Sequence, residues 1–302
     1  MLIQEPGKVT NNIDYLGTRE LCLYLLKGKE AMLIEGGMSW IVPTLERQLA
    51  AMEFNLEKVK YLVITHSHFD HCGAVPYLKR RFPHIQILAS AQSQKIFSKE
   101  KATRFIAAIN KQMIEGLGLQ DEYETLNLKF DGIKVDRVMS ENDIIDLGDG
   151  IDAHFMEVPG HTQCCIAVYV PALKAIFPSD SAPYPTDDGS DLLYPSGQYD
   201  FSLYEKSLQK IANREVEICA FGHNGVAIGE KAKKVLHQGL QQTEEFKNYI
   251  IEQYWQTGDL DTLAHQVATK AMRKNKNNLM SIELQTNVAK TVIGKILRSA
   301  EE

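Results

Sequence analysis

Long apolar runs are missing from this 302-residue sequence, and no stretch approaches the roughly 20 apolar residues that a membrane-spanning helix needs. The first six residues, from Met1 to Pro6, contain neither the basic segment nor the apolar segment of a secretory signal. We therefore expect a cytoplasmic protein that has no membrane partner.

Cysteine and positive charge are also scarce. The five cysteines are an odd number and lie far apart or side by side, which argues against a disulfide framework. Acidic residues outnumber basic ones by 39 to 33, and the formal net charge is -6. Apart from the short stretch 270–276, no block of Lys or Arg is present, so we expect a small-molecule substrate and no nucleic acid.

Short apolar runs in the first half of the sequence predict a β-hairpin followed by a β-α-β unit. The hairpin strands fall at 20–26 and 31–35, and a helix at 43–52 leads to a strand at 60–64. The same pattern then predicts a helix at 74–82, a strand at 84–89 and a longer charged helix at 92–116. The first half is therefore expected to be mixed α/β.

The second half changes character at Gly229. Before it, apolar runs separated by Gly or Pro turns predict a β-meander with alternating faces, with strands at 143–147, 151–158, 165–170 and 175–177. After it, the pattern is helical, with helices at 231–255, 259–272 and 281–298. The last helix has an apolar stripe at Leu284, Val288, Val292 and Ile296. We expect a main domain at 1–229 and a helical extension at 230–302 that packs onto it.

One run of nine residues, Thr65 to Gly73, concentrates metal-binding side chains. His66, His68, Asp70 and His71 follow the strand at 60–64 within six positions. Imidazole and carboxylate groups are ligands of first-row transition metals. A single loop histidine is usually a surface or core residue, but four such side chains in the pattern H-x-H-x-D-H after a strand predict a metal site, and hence an enzyme.

Three further ligand-type residues each follow a short apolar β-type run. His161 comes after Pro159-Gly160, Asp180 comes after Pro178-Ser179, and His223 comes after Gly222. A site for two metal ions needs more ligands than the first run supplies. These strand ends provide them.

With these motifs the sequence resembles the metallo-β-lactamase fold superfamily, whose hydrolases carry H-x-H-x-D-H, then G-H, then a strand-end Asp, then a second G-H. The resemblance covers about residues 1–229 and implies an αββα sandwich with two divalent metal ions. It implies that one ion is held by His66, His68 and His161. The second would be held by Asp70, His71 and His223, with Asp180 bridging both ions.

The resemblance also implies a reaction. Two metals about 3.5–4 Å apart can share a water, lower its pKa and so supply a bridging hydroxide at neutral pH, while one of them polarises the substrate carbonyl. Asp70 would orient this nucleophile and could shuttle a proton. The ligand types suit zinc, iron and manganese, so the identity of the metal stays open.

Within the superfamily, the sequence is similar to the thioesterase group of the quinolone signal response protein of pseudomonads, which has helices after the sandwich. The shared residues are Glu35-Gly36-Gly37, Ile64 to Gly73, Pro76-Tyr77-Leu78 and Leu88-Ala89-Ser90. A thiol with a pKa near 8.5 leaves readily as thiolate and needs no strong general acid, which fits an acyl-CoA-like substrate. Tyr184 stands where that protein carries a glutamate, and Tyr184 and Asn287 are candidate substrate-binding residues.

Four alternatives stay open at this point. A lactonase or another ester hydrolase would use the same hydroxide. A nuclease of the superfamily would bring a nucleic-acid-binding insert or a basic surface, and neither is evident in the sequence. A flavin-partnered di-iron reductase would replace His68 with Glu and add a flavodoxin-like domain, and both are missing. A regulatory protein with residual hydrolysis would bind a partner through the stretch 92–116 and the C-terminal helices, and could be a homodimer.

Overall fold

The computed structural model describes residues 1–276 and 280–301. Its strands are, in chain order, β1 Leu2–Ile3, β2 Gly7–Lys8, β3 Ile13–Gly17, β4 Cys22–Lys27, β5 Ala31–Ile34, β6 Val59–Val63, β7 Gln86–Ser90, β8 Arg137–Met139, β9 Ile144–Asp146, β10 Asp152–Glu157, β11 Ile166–Val170, β12 Ala175–Phe177, β13 Ile218–Ala220 and β14 Val226–Ile228.

The α-helices are α1 Val42–Ala51, α2 Phe69–Cys72, α3 Val75–Arg81, α4 Ala91–Phe97, α5 Glu100–Gly116, α6 Gln120–Thr125, α7 Phe201–Ala212, α8 Glu230–Thr257, α9 Leu260–Lys274 and α10 Ile282–Glu301. The strands form two sheets of seven strands each, and the chain ends in helices. The expected fold class, a mixed α/β protein with two sheets and a C-terminal helical region, is confirmed. Within 1–276 and 280–301, no helix is long and apolar enough to cross a membrane.

The chain divides into two compact units. The N-terminal unit comprises Ile3–Met156 and Val168–Leu173, and the C-terminal unit comprises Met1–Leu2, Glu157–Ala167 and Lys174–Glu302. The expected boundary between a domain at 1–229 and an extension at 230–302 stays a prediction.

In the N-terminal unit, one complete sheet has the order β2-β3-β4-β5-β6-β7-β8. The pairs β3/β4 and β4/β5 are antiparallel, whereas β5, β6, β7 and β8 run parallel to one another. The predicted hairpin and β-α-β unit are therefore confirmed as β4-β5 and β5-α1-β6. Because β5 and β6 are parallel neighbours, their carboxyl ends meet at one edge of the sheet, and this edge carries Glu35 and Thr65.

The core of this unit is made by apolar side chains of the sheet and of the helices that cover it. Leu25 and Leu33 of the central strands are buried together with Leu45 of α1 and Leu78 of α3. Each such side chain contributes about 1.5–3 kcal/mol through burial alone. The loop that follows β6 is thus anchored on a rigid base.

The prediction of one long helix at 92–116 is wrong in one respect, because this stretch forms two helices, α4 and α5. The hydroxyl of Ser98 donates to the carbonyl of Lys95 at 2.9 Å, and Lys99 adopts an extended conformation that precedes the new helix. A serine that bonds to the preceding turn and an extended residue together end α4.

The expected alternation of buried and exposed faces in the β-meander holds only in part. In β10, buried and partly exposed residues alternate over its first four positions, but in β11 all five residues are buried. A strand buried at every position has both faces covered, which a sequence rich in Val and Ile permits.

In the C-terminal unit, β12 and β13 are parallel, and β13 and β14 form an antiparallel hairpin in which Ala220 pairs with Val226. His223 lies in the turn of this hairpin. Asn224 and Gly225 follow it with positive φ angles of 59° and 104°, which is the backbone that such a turn requires.

The apolar stripe predicted along α10 is also wrong in part. Val292 and Ile296 are fully buried, but Leu284 is 45% exposed. The buried face instead continues through Ile293, Ala289 and Gln285. A strict spacing of four residues drifts around a helix that has 3.6 residues per turn, so the first members of the stripe rotate out of the core.

Candidate metal centre

The four ligand-type residues of the H-x-H-x-D-H run lie together at the carboxyl end of β6. We call His66, His68, Asp70 and His71 the N-terminal ligand set. The ring centroid of His66 is 4.8 Å from that of His68 and 4.1 Å from that of His71, and His71 Nε2 is 3.6 Å from Asp70 Oδ2. His66 and His71 are buried, whereas His68 and Asp70 are partly exposed.

Glu35, at the end of β5, supports this set through hydrogen bonds to residues of the ligand loop. Its buried carboxylate accepts a hydrogen bond from the Thr65 hydroxyl at 2.9 Å and one from His71 Nδ1, also at 2.9 Å. Because the Thr65 hydroxyl donates to Glu35, its oxygen can accept from His66 Nδ1, which is 3.3 Å away. One carboxylate thus fixes the proton of His71 on Nδ1 directly, and that of His66 through Thr65.

Three glycines let the segment after Glu35 lie close to the ligand loop. The N–H of Gly36 donates to the carbonyl of His71 at 3.0 Å, and the N–H of Gly73 donates to the carbonyl of Gly37 at 2.6 Å. A Cβ on Gly36 would lie 2.4 Å from Val75 Cγ2 and 2.7 Å from the His71 carbonyl oxygen. No larger residue fits this approach of two backbone segments.

Glu35 itself has a φ of 79°, a left-handed conformation that costs a non-glycine residue about 1–3 kcal/mol. Its N–H still donates to the carbonyl of Val63 at 3.0 Å. The turn that places its carboxylate on Thr65 and His71 is therefore maintained against local strain. Such strain at a site of converging polar groups is typical of a functional position.

The remaining three predicted ligands also converge, in the C-terminal unit. We call His161, Asp180 and His223 the C-terminal ligand set. Asp180 Oδ2 is 3.3 Å from His161 Nε2, and Asp180 Oδ1 is 3.4 Å from His223 Nε2. His161 and Asp180 are buried and His223 is partly exposed. One carboxylate therefore lies between two imidazoles.

The loop that leads into α7 holds this second set. The carbonyl of Ser196 accepts a hydrogen bond from His161 Nδ1 at 2.8 Å, and the Ser196 hydroxyl donates to the carbonyl of Asp180 at 3.3 Å. Gly160, next to His161, has a φ of 141°, and a Cβ there would lie 2.3 Å from the backbone of Tyr204 in α7. The position of His161 thus depends on close backbone packing.

The spacing of the ligand atoms fits a metal better than it fits ion pairs. Two ligands at about 2.0–2.1 Å from a tetrahedral metal lie roughly 3.3–3.4 Å apart. The three distances between Nε2 and carboxylate oxygen are 3.3, 3.4 and 3.6 Å, longer than the roughly 2.7–2.9 Å of a charged hydrogen bond.

The hydrogen bonds behind the imidazoles point to the same conclusion. His71 and His161 each use Nδ1 to donate to an oxygen, so in the neutral ring Nε2 keeps its lone pair. Metal-binding histidines almost always make such a bond through the other nitrogen. The protein therefore carries His and Asp clusters that are able to bind metal.

The two predicted substrate-binding residues occupy different settings. The ring of Tyr184 lies against that of His223, with centroids 4.9 Å apart and planes tilted by 45°. Asn287 is exposed on α10, where its carbonyl accepts from the Thr291 hydroxyl at 2.9 Å. Their contact with a substrate stays a prediction.

The five cysteines are buried and form no disulfide within the described part of the chain, so the expectation of no disulfide framework is confirmed. The thiol of Cys72 donates to the carbonyl of His68 at 3.1 Å and so helps to hold the ligand loop. Burial raises the pKa of the Cys165 thiol well above its usual range, which keeps it protonated and unreactive.

Comparison with known proteins agrees with this geometry. The profile of the Metallo-beta-lactamase superfamily matches residues 19–223. The metallo-beta-lactamase fold-containing protein ST1585 of Sulfurisphaera tokodaii is 26% identical over 224 residues, which cover 74% of this chain and 79% of that protein. Its crystal structure superposes with a TM-score of 0.56 at 18% identity, over 77% of this chain and 86% of that one.

Two further relatives show how broad the similarity is. The crystal structure of the metallo-beta-lactamase family protein TTHA1429 of Thermus thermophilus has a TM-score of 0.64 at 14% identity, over 97% of this chain and 95% of that one. Ribonuclease J of Mycolicibacterium smegmatis is 26% identical over 137 residues, which are 43% of this chain but 23% of that protein. The match to the superfamily profile covers most of the chain, and so the chain belongs to the metallo-β-lactamase superfamily.

Proposed function

We propose that the protein is a metal-dependent hydrolase that cleaves thioesters of the acyl-CoA type. The observation that carries the hydrolase part is the geometry of the two ligand sets, in which Nε2 atoms lie 3.3–3.6 Å from carboxylate oxygens. Membership of a superfamily whose members are generally hydrolases supports the same reaction class.

The proposal assigns seven residues as ligands of two divalent ions. His66, His68 and His161 would hold one divalent ion, and Asp70, His71 and His223 would hold another. Asp180, which lies between His161 and His223, would be shared by both ions. His and Asp side chains grouped in threes, as these are, can hold a metal ion. Zinc and iron are the proposed ions, and manganese suits the same ligand types.

When bound, two such ions lower the pKa of water, so that hydroxide is available at neutral pH, and they polarise a carbonyl oxygen. The residues of the chain would do the rest. Asp70 is 21% exposed at its side chain, so it can reach a water molecule and accept its proton at a carboxylate oxygen. Glu35 would keep His71 in the tautomer that the site needs. The thiol of Cys72 donates to the His68 carbonyl, so in this proposal it holds the loop and does not attack the substrate.

The thioester part of the proposal rests on the sequence. The likeness to the quinolone signal response protein runs through Glu35-Gly36-Gly37 and Ile64 to Gly73, and these are the segments that build the N-terminal ligand set. A thiolate leaving group needs no strong general acid, so Asp70 alone would suffice for proton transfer. A small-molecule substrate also suits the net charge of -6.

Phosphodiester cleavage is the second candidate, and the similarity to ribonuclease J favours it. That similarity spans 23% of the ribonuclease, so it leaves out most of that protein. The acidic balance of this chain is unfavourable for binding a nucleic-acid backbone. The two candidates can be separated by substrate.

The test is a panel of acyl-CoA thioesters, lactones and a generic phosphodiester, assayed with protein that was purified without added metal. We expect turnover of thioesters, its loss with a chelator, and its recovery when zinc or iron is returned. The variant Asp70→Asn should lose at least about a hundredfold in kcat. Asp261→Asn removes an exposed carboxylate that pairs with Lys290 on the C-terminal helices, and it should match wild type.

Two outcomes would overturn the proposal. Activity on the phosphodiester alone would replace the thioester by the second candidate, and activity on lactones alone would make the protein a lactonase. In cells, a function that persists in Asp70→Ala while turnover is abolished would favour a regulatory, partner-binding role.

A further inference from the structure

A short β-hairpin follows Asp180 in the C-terminal unit. Pro185 and Leu192 form an antiparallel bridge, the N–H of Leu193 donates to the carbonyl of Tyr184 at 2.9 Å, and the N–H of Thr186 donates to that of Asp191 at 2.9 Å. We call residues 184–193 the 184–193 hairpin. It begins at Tyr184, which lies beside the proposed ligand His223, and its tip lies several residues further along the chain.

The base of the hairpin is attached to the turn that carries His223. The side chain of Asn224 is buried and donates from Nδ2 to the carbonyl of Pro185 at 2.8 Å. Tyr184, at the start of the hairpin, packs against the His223 ring with centroids 4.9 Å apart. The hairpin therefore forms a wall directly beside one member of the C-terminal ligand set.

The tip is rigid in its own right. Asp188 accepts hydrogen bonds from the hydroxyls of Thr186 and Ser190, each at 2.7 Å, and from the N–H of Ser190 at 3.0 Å. These bonds hold the pKa of Asp188 well below its usual range, so the carboxylate stays charged and the turn stays closed. A tip built in this way should move with the rest of the hairpin as one piece.

The outer strand of the hairpin is attached to the C-terminal helices. Asp191 forms an ion pair with Lys274 at the end of α9, and it accepts from Gln242 Nε2 of α8 at 2.5 Å. Lys231, also on α8, donates from Nζ to the carbonyl of Gly189 at 2.6 Å. The carboxylate and the ammonium are each about one third exposed, so solvent screens this pair in part.

Apolar packing brings the hairpin close to α8. Leu192 is 5% exposed, and α8 has a glycine, Gly239, opposite it. A Cβ on Gly239 would lie 3.4 Å from Pro183 Cδ and 3.8 Å from Leu192 Cδ1. The hairpin thus rests on the C-terminal helices through both polar and apolar contacts.

We propose that the 184–193 hairpin is a wall of the substrate site that determines which acyl groups fit, and that Lys274 is a positioning residue that holds this wall through Asp191. The substrate part rests on the proposed function. The C-terminal helices would thereby set substrate selectivity at His223 through the hairpin. Tyr184 is the residue of the wall that would meet the substrate.

The first test needs no activity. Hydrogen–deuterium exchange of peptides that cover residues 184–193 is compared among wild type, Lys274→Ala, Lys274→Arg and the control Lys290→Ala. Lys290 pairs with Asp261, another residue of the C-terminal helices, so Lys290→Ala removes a different ion pair and should exchange like wild type. We expect about fivefold faster exchange in Lys274→Ala, and recovery in Lys274→Arg, which restores the charge.

The second test uses acetyl-CoA and octanoyl-CoA as substrates. Lys274→Ala should raise KM and reduce the ratio of the two kcat/KM values about fivefold with kcat for the better substrate nearly unchanged, and Tyr184→Ala should move the ratio in the same direction. Unaltered metal content and thermal midpoint would show that both variants are folded.

Each failure has its own signature. Equal exchange in Lys274→Ala and Lys290→Ala would overturn the positioning role, whatever the substrate is. Faster exchange with an unchanged selectivity ratio would overturn the proposal that the hairpin determines which acyl groups fit. Faster exchange together with no thioester turnover in wild type would overturn the proposed function and leave the link between Lys274 and the hairpin in place.

Discussion

The two ligand sets are built in opposite ways. The N-terminal set takes four residues from six consecutive positions that run from the loop after β6 into α2, and a single side chain, Glu35, supports two of its imidazoles. The C-terminal set takes three residues from three strand ends that span positions 161 to 223, and a backbone carbonyl, that of Ser196, supports His161. The first set is therefore supported by a side-chain carboxylate, and the second is supported by the backbone.

This difference determines which supporting groups a single substitution can remove. A carboxylate such as that of Glu35 can be removed by one substitution, but a backbone carbonyl survives every substitution at Ser196. The C-terminal set should therefore resist changes behind its ligands and be sensitive to changes of the ligands themselves and of the glycines that shape its backbone. The predictions below follow this contrast from the largest effect to the smallest.

Asp180→Ala should have the largest effect. Asp180 lies between two imidazoles, at 3.3 Å and 3.4 Å, whereas Asp70 Oδ2 lies 3.6 Å from His71 Nε2. We expect hydrolysis to fall by about a thousandfold or more, because two imidazoles lose their shared partner and the metal with it. Elemental analysis should show a greater loss of metal in Asp180→Ala than in Asp70→Ala. Equal losses would remove the asymmetry between the two sets.

Gly36→Ala and Gly160→Ala should destabilise the protein by about 2–4 kcal/mol each. The added methyl would lie 2.4 Å from Val75 Cγ2 in the first case and 2.3 Å from the Tyr204 backbone in the second. Gly160 also has a φ of 141°, so its substitution should cost more. Thermal or urea unfolding measures this order.

The control is Gly294→Ala on α10, where a Cβ would meet no atom within 4 Å. That change should be neutral or stabilising, because alanine favours a helix by about 1 kcal/mol over glycine. If Gly160→Ala were as mild as this control, the backbone packing of the C-terminal set would matter less than we conclude.

Glu35→Gln should weaken metal binding about 10- to 100-fold, as the loss of a partner behind a metal ligand typically does. The amide keeps the shape but offers an N–H to His71 Nδ1, which disturbs the tautomer. Competition with a chromophoric chelator measures the affinity, and Glu46→Gln, at an exposed ion pair with Arg81, is the matched control. Unchanged affinity in Glu35→Gln would mean that the N-terminal set does not depend on its supporting side chain.

Ser196→Ala should have the smallest effect, with metal affinity within about threefold of wild type. The carbonyl that accepts from His161 Nδ1 at 2.8 Å remains, and only the hydroxyl that donates to Asp180 at 3.3 Å is lost. The same chelator assay applies. A loss as large as that of Glu35→Gln would show that the side chain, not the carbonyl, supports the C-terminal set.

The contrast also explains what could be predicted from the sequence. The N-terminal set is contiguous, so its motif identifies it directly, and the hairpin and β-α-β unit around it follow from short apolar runs. The supporting role of Glu35 could not be derived in the same way, because it requires β5 and β6 to be parallel neighbours with their ends at one edge. The unusual Glu-Gly-Gly sequence was the available signal.

In the C-terminal unit less was predictable. His161, Asp180 and His223 were identified by strand-end position together with family resemblance, but any residue has a carbonyl, so nothing in the sequence marks Ser196. The helix α7 and the strand β14 were not predicted, although α7 packs against Gly160. The rotated stripe of α10 follows from helical pitch. In the N-terminal unit, the break at Ser98 follows from local hydrogen bonding, and apolar content indicates neither feature.

The central proposal is that the seven ligand-type residues hold two divalent metal ions. Elemental analysis of protein that was purified without added metal tests it most directly, with zinc, iron and manganese measured against protein concentration. We predict about two bound ions per chain, and a fall to about one or fewer in Asp180→Ala. A wild-type protein that binds one ion or none with high affinity would contradict the claim.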